Sequence, residues 1–259
     1  MDLELNGRRV IVTGGSKGIG LAVAHAFARE GATPVLVARS RGTLEEAAAA
    51  IAAASGVTPE VLAADLSGAE GVSALVEVAG NLDILVNNAG AIPAGSLSEV
   101  DDATWRAAWD LKLHGYIELT RALLPRMSAR GSGVIANIIG MAGAAPRADY
   151  ICGAAANAAL IAFTRATGAE SPRHGVRVFG INPSLTRSER MQTMLRHRAE
   201  ERLGDARRWS ELTADLPFGR PIEPAEIADL TVFGCSPRAA YLSGTVIDVD
   251  GGQLYASPR

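Results

Sequence analysis

The feature that most constrains this chain is the passage from Arg9–Thr13, a β-branched apolar run, through Gly14-Gly15-Ser16-Lys17-Gly18-Ile19-Gly20 into an Ala-rich helical pattern. A strand that turns through glycines straight into a helix fits few architectures. Gly14 permits the tight turn, Gly18 lets backbone approach a pyrophosphate, and Gly20 allows the helix to pack closely on the strand. The helix N-terminus then presents N–H groups to an anion. The segment therefore predicts a dinucleotide site that draws on Gly14, Ser16, Lys17, Gly18, Ile19 and Gly20.

The rest of the chain repeats the alternation. Strands are expected at Arg9–Thr13, Thr33–Ala38, Pro59–Ala64, Asp83–Asn87, Val134–Ile139, Arg177–Asn182 and Thr245–Val249. Helices are expected at Ile19–Glu30, Leu44–Ala54, around Asp102–Arg130, around Ala148–Ser171 and at Ala225–Cys235. This order specifies an α/β class: a single-domain Rossmann fold over residues 1–259, with a doubly wound parallel sheet of about seven strands and helices on both faces. Right-handed crossovers place the site at the carboxyl ends of the strands, where strand order reverses. Leu185–Leu216 breaks the rhythm, being far longer than the roughly 2–6 residues of an ordinary connection. It reads as a helical insertion over the site, a substrate lid around 185–216. Met191, Met194, Leu195 and Trp209 supply its apolar contacts. Its charges (Arg187, Arg190, Arg196, Arg198, Arg202, Arg207 and Arg208 against Glu189, Glu200, Glu201 and Asp205) read as a solvated helix face, with substrate-anion binding the alternative.

A net charge of -3 gives no field that would recruit nucleic acid or an anionic membrane. Cys152 and Cys235, the only cysteines, are too few for a disulfide framework or a zinc site. They suit a reducing, cytoplasmic setting. The chain opens without a basic-then-apolar leader, and no run approaches the roughly 18 apolar residues of a membrane span. His25, His114, His174 and His197 lack metal-ligand spacing, so no metal is expected.

Cofactor choice is read at the end of the second strand. An acidic residue there would bind the free ribose hydroxyl of NAD(H). The position carries Arg39, which with Lys17 suits a 2′-phosphate. NADP(H) is expected as the preferred cofactor, with NAD(H) possible.

These motifs, together with Asp65-Leu66, Asn87-Asn88-Ala89-Gly90, Asn182-Pro183 and Asp250-Gly251-Gly252, resemble the short-chain dehydrogenase/reductase family over essentially the whole chain. The resemblance implies that Asp65 and Leu66 meet the adenine, that Asn88, Ala89 and Gly90 shape the cofactor wall, and that Pro183 and Thr186 border the nicotinamide carboxamide. It also implies hydride transfer between a carbonyl and an alcohol, with a Tyr as acid/base, a Lys lowering its pKa, a Ser orienting substrate and an Asn holding a water. A homotetramer, or else a homodimer, is the implied assembly; the small residues of Gly153–Ala162 would let a second helix approach.

Aligned on Asn137-Ile138 and on Ala162-Phe163-Thr164-Arg165, the family's Ser falls on Gly140, its Tyr on Gly153, its Lys on Asn157 and its Asn on Lys112. Tyr150 lies seven residues before Asn157, a spacing that resembles divergent enoyl-reductase relatives. Tyr150 is accordingly the expected acid/base. Lys112 would supply the cation from the opposite wall, and Asn157 would bind the nicotinamide ribose; the alternative is that Lys112 faces solvent on its helix and Tyr150 packs at a helix start. Asp149 is expected to cap the helix, and Cys152 to be a buried, inert thiol near the cleft. Two functions follow from this reading. One is an oxidoreductase acting on a small carbonyl, alcohol or activated alkene. The other is a nucleotide-binding protein that has lost its chemistry.

Overall fold

The computed structural model describes residues 1–256, the side chain of Arg190 excepted. Seven strands form one parallel sheet: β1 Arg9–Thr13, β2 Thr33–Ala38, β3 Glu60–Ala63, β4 Ile84–Asn87, β5 Gly133–Ile138, β6 Val176–Pro183 and β7 Val246–Val249. Their spatial order is β3-β2-β1-β4-β5-β6-β7, so the order reverses between β1 and β4. That is where an open α/β sheet leaves a crevice at its carboxyl edge.

Period-two alternation divides the core between the two faces of the sheet. Val10, Val12, Leu36, Val86 and Ala136 face α1 (Gly18–Arg29), α2 (Arg41–Ser55) and α8 (Pro224–Cys235). Ile11, Val35, Val37, Leu85 and Ile135 face α3 (Ala69–Val78) and α5 (Gly115–Arg130). A third cluster lies beneath the carboxyl edge. Its members include Ile92, Leu113, Tyr116, Ile139 and Cys152, and it joins α4 (Asp102–Trp109) to α6 (Ile151–Glu170).

The structure differs from expectation at two elements. Helix α3 was not anticipated. The stretch 102–130 is not one helix, because a π-helical turn at Asp110–His114 separates α4 from α5. The insertion resolves into α7 (Glu189–Leu203) and a 3₁₀ segment at Ala206–Thr213. Ser188 caps α7 by accepting the Met191 N–H at 3.1 Å. No helix among the described residues is long and apolar enough to cross a membrane.

Candidate active site

The glycine turn is built as its sequence requires. Gly14 sits at φ +66°, and a Cβ on Gly20 would lie 2.2 Å from the Gly14 carbonyl oxygen. The neighbouring loop is tied to the same strand end. Thr13 Oγ1 accepts the N–H groups of Asn88 and Ala89 at 2.8 and 3.0 Å, and Asn88 Nδ2 donates to the Thr13 carbonyl at 2.9 Å. Below them a buried polar ladder crosses the central strands: Asn87 Nδ2 donates to Asn137 Oδ1, whose Nδ2 donates to Thr164 Oγ1, both at 2.9 Å.

Between these loops and α7 lies a cleft of about 1170 Å³. Of the residues expected to bind cofactor, Gly14, Ser16, Lys17, Ile19, Arg39, Asn88, Ala89, Gly90, Asn157, Pro183 and Thr186 line it. Gly18, Gly20, Asp65 and Leu66 do not. Gly20 packs under the turn and Leu66 is buried in the core. The Asp65 carboxylate turns onto Ser67, whose N–H and hydroxyl hold its pKa below the usual range. Arg39 is exposed on the rim. Lys17 pairs with Glu189 at 3.4 Å, which ties the glycine turn to the start of α7. The Thr186 hydroxyl donates to the Ser184 carbonyl at 3.0 Å. Met191, Met194, Leu195 and Arg198 carry the insertion onto the cleft, whereas Trp209 is half-buried elsewhere.

Tyr150, Lys112 and Asn157 line the same cleft. Tyr150 precedes the first residue of α6, and its ring lies across Gly153: a Cβ there would meet Tyr150 Cε1 at 2.1 Å. Gly140, at φ +142°, leaves room for Asn157, whose Nδ2 would be 2.9 Å from a Cβ at that position. Asn157 Oδ1 is buried and has no hydrogen-bond partner. Such an acceptor is costly unless something else satisfies it.

Lys112 projects from the π-helical turn, its stem against Gly90, where a Cβ would meet Lys112 Cδ at 2.8 Å. Its Nζ donates to the Ile138 carbonyl at 2.7 Å and to the Tyr116 hydroxyl at 2.8 Å. The Tyr116 hydroxyl donates onward to Ile138 O at 2.9 Å. No carboxylate lies within 4.0 Å of Nζ among the described residues, and burial lowers the Lys112 pKa to about 7. Burial likewise raises that of Tyr116. The sequence reading passed over Tyr116. Its signal was the four-residue spacing from Lys112, which places both on one helical face.

One smaller expectation changes. Asp149 does not cap α6. Its carboxylate accepts two hydrogen bonds from Arg147, at 3.0 and 2.6 Å, and a flexible neighbour within two residues competes with the cap position. Cys152 is buried as expected, in the cluster that contains Tyr150, and desolvation raises its thiol pKa.

Comparison with known proteins places this geometry among close relatives. A family model described as short chain dehydrogenase matches residues 8–199. Galactitol 2-dehydrogenase (L-tagatose-forming) of Cereibacter sphaeroides is 35% identical over 254 residues, which cover 96% of each chain. The 3-oxoacyl-[acyl-carrier-protein] reductase of Vibrio harveyi is 32% identical over 96% of this chain and 98% of its own. The structure of L-sorbose reductase from Gluconobacter frateurii, complexed with NADPH and L-sorbose, superposes with a TM-score of 0.93 at 36% identity. That match covers 99% of this chain and 100% of the other.

Proposed function

The chain belongs to the short-chain dehydrogenase family, and from that premise we propose that it is an NAD(P)(H)-dependent oxidoreductase acting on a small carbonyl compound or its alcohol, with Tyr150 as acid/base. One observation carries this reading: Tyr150, Lys112 and Asn157 line a single cleft with the glycine turn. A bound nicotinamide dinucleotide would supply or accept the hydride. The residues present fit such a group, since the glycine turn leaves backbone exposed to a pyrophosphate and Asn157 Oδ1 is a buried acceptor awaiting a hydroxyl. Gly14 to Ile19 would hold the pyrophosphate, exposed Asp65 the adenine end, and Pro183 and Thr186 the carboxamide side. Arg39 on the rim supports NADP(H) over NAD(H).

Gly140, Gly153, Asn157 and Lys112 then stand where the family carries Ser, Tyr, Lys and Asn, and the chemistry moves to Tyr150. Its phenol exchanges a proton with the substrate oxygen. A phenol with a reference pKa near 10 needs a nearby cation to do so near neutrality. Lys112 offers that charge from the opposite wall, below about pH 7. The relatives named for a polyol, a ketose and an oxoacyl thioester support carbonyl and alcohol substrates over activated alkenes. The segment 185–216 serves as the substrate lid. We further expect a cytoplasmic homotetramer, or else a homodimer, docked through the small residues of α6.

The test is fluorescence titration with NADPH and NADH for wild type and Tyr150→Phe, followed by a panel of ketoses, polyols, 3-oxoacyl thioesters and enones. We expect NADPH to bind more tightly than NADH to both proteins. Turnover should fall at least about 100-fold in the variant. Binding without wild-type turnover would favour a nucleotide-binding protein without chemistry. Unchanged turnover in Tyr150→Phe would remove Tyr150 from the mechanism.

A further inference from the structure

We propose that Lys112 is a nucleophilic amine that captures small aldehydes in the cleft as a reversible imine. Three observations carry this. The first is its surroundings: the side chain lines the cleft yet is only 7% exposed, and no carboxylate lies within 4.0 Å of Nζ among the described residues. The second is its hydrogen bonding. Nζ has two acceptors, Ile138 O and the Tyr116 hydroxyl, which match the two N–H bonds of a neutral amine and leave the lone pair as the remaining vertex. The third lies in composition. Lys17 and Lys112 are the chain's only lysines among 25 Lys and Arg residues. A chain that meets almost every other need for positive charge with arginine keeps lysine here, and lysine alone of the two can lose its proton.

The titratable groups around the amine are few. Tyr116 faces it from α5, and Tyr150 lines the same cleft. Gly90 packs along its stem, and β5 contributes only the Ile138 carbonyl. Burial raises the Tyr116 pKa, so its phenol carries no negative charge near neutrality that would hold Nζ as ammonium. Burial lowers the Lys112 pKa to about 7, so a large share of the amine is neutral at physiological pH.

The step balances without an external oxidant or reductant. The Nζ lone pair bonds to the carbonyl carbon as the C=O π pair moves to oxygen. A proton passes from nitrogen to that oxygen, giving a carbinolamine, and loss of water leaves the C=N bond. This chemistry depends on Lys112 alone. It holds whether or not Tyr150 is the acid/base, and it uses the protonation state opposite to the one that would support Tyr150.

Scarcity of lysine makes the test clean. The wild-type protein is treated with propanal and cyanoborohydride at pH 7.5 for a limited time, and alkylation at Lys112, Lys17 and the N-terminus is followed by peptide mass spectrometry. The expected result is labelling of Lys112 at least about tenfold faster than of exposed Lys17, with Tyr150→Phe labelled at the same rate. Lys112→Gln should lose that adduct and keep the other two. Labelling of Lys112 no faster than Lys17 overturns the proposal. So does adduct formation confined to Lys17 and the N-terminus. Because the comparison is internal to one wild-type sample, it stands even if the Lys112 variant folds poorly.

Discussion

At the residue scale the structure stores unfavourable free energy at Lys112. Its folded-state pKa of about 7 lies below the ordinary lysine value, so between about pH 7 and the unfolded value near 10.5 the unfolded chain binds more protons. Stability therefore rises with pH through that window, and below it the full cost of a buried charge is present. Lys112→Met should be more stable than wild type at pH 7 by a few kcal/mol, at about 1.4 kcal/mol per tenfold. That advantage should shrink towards pH 10, as read by denaturant melts of both proteins. Carbonyl reduction in the wild type should likewise slow as pH rises through about 7, and the variant should lack that limb. A second residue-scale consequence concerns the phenol. Gly153→Ala places a methyl 2.1 Å from Tyr150 Cε1, so the ring must leave its seat. Turnover should fall about tenfold or more while NADPH affinity holds, at a stability cost of about 1–3 kcal/mol.

At the element scale, every strand was legible, the five central ones because buried parallel strands are continuous apolar runs bounded by turns. Helix α3 was not. Its ten residues, AEGVSALVEV, carry three valines and a glycine within the pattern, too short and too mixed for a clear 3.6-residue period. The π-helical turn at Asp110–His114 is invisible to periodicity, since it re-aims side chains by one position without altering composition. That turn is what delivers Lys112 to the cleft. The sequence marked Lys112, Tyr150 and Asn157 as candidates by their departure from a family pattern. The Tyr116 contact and the seat of the Tyr150 ring depend on three-dimensional packing. Removal of the α7 cap tests the role of the insertion. Ser188→Ala costs about 1 kcal/mol locally, so KM should rise several-fold while kcat changes less.

Across the whole molecule, the amino edge of the sheet is braced by contacts far apart in sequence. Arg177 on β6 donates to the carbonyls of Gly234, Cys235, Ser236 and Leu242, at 2.8 to 3.2 Å, and so closes the end of α8 against the sheet. Arg177→Met leaves four carbonyls to find other donors. It should lower the melting temperature by about 10 °C, measured calorimetrically, without changing relative preference among substrates.

The interlocking of Gly140 with Asn157 and of Gly153 with Tyr150 has an evolutionary reading. A serine at 140 would meet both a left-handed backbone and the Asn157 amide; a tyrosine at 153 would meet the ring already lying there. Each position is held in place by its partner's size. Single substitutions to Ser at 140 or to Tyr at 153 should each clash with the partner already in place, and only paired changes should relieve the conflict. Such a site drifts little once formed, so lineages descending from it should inherit the four residues as one linked block.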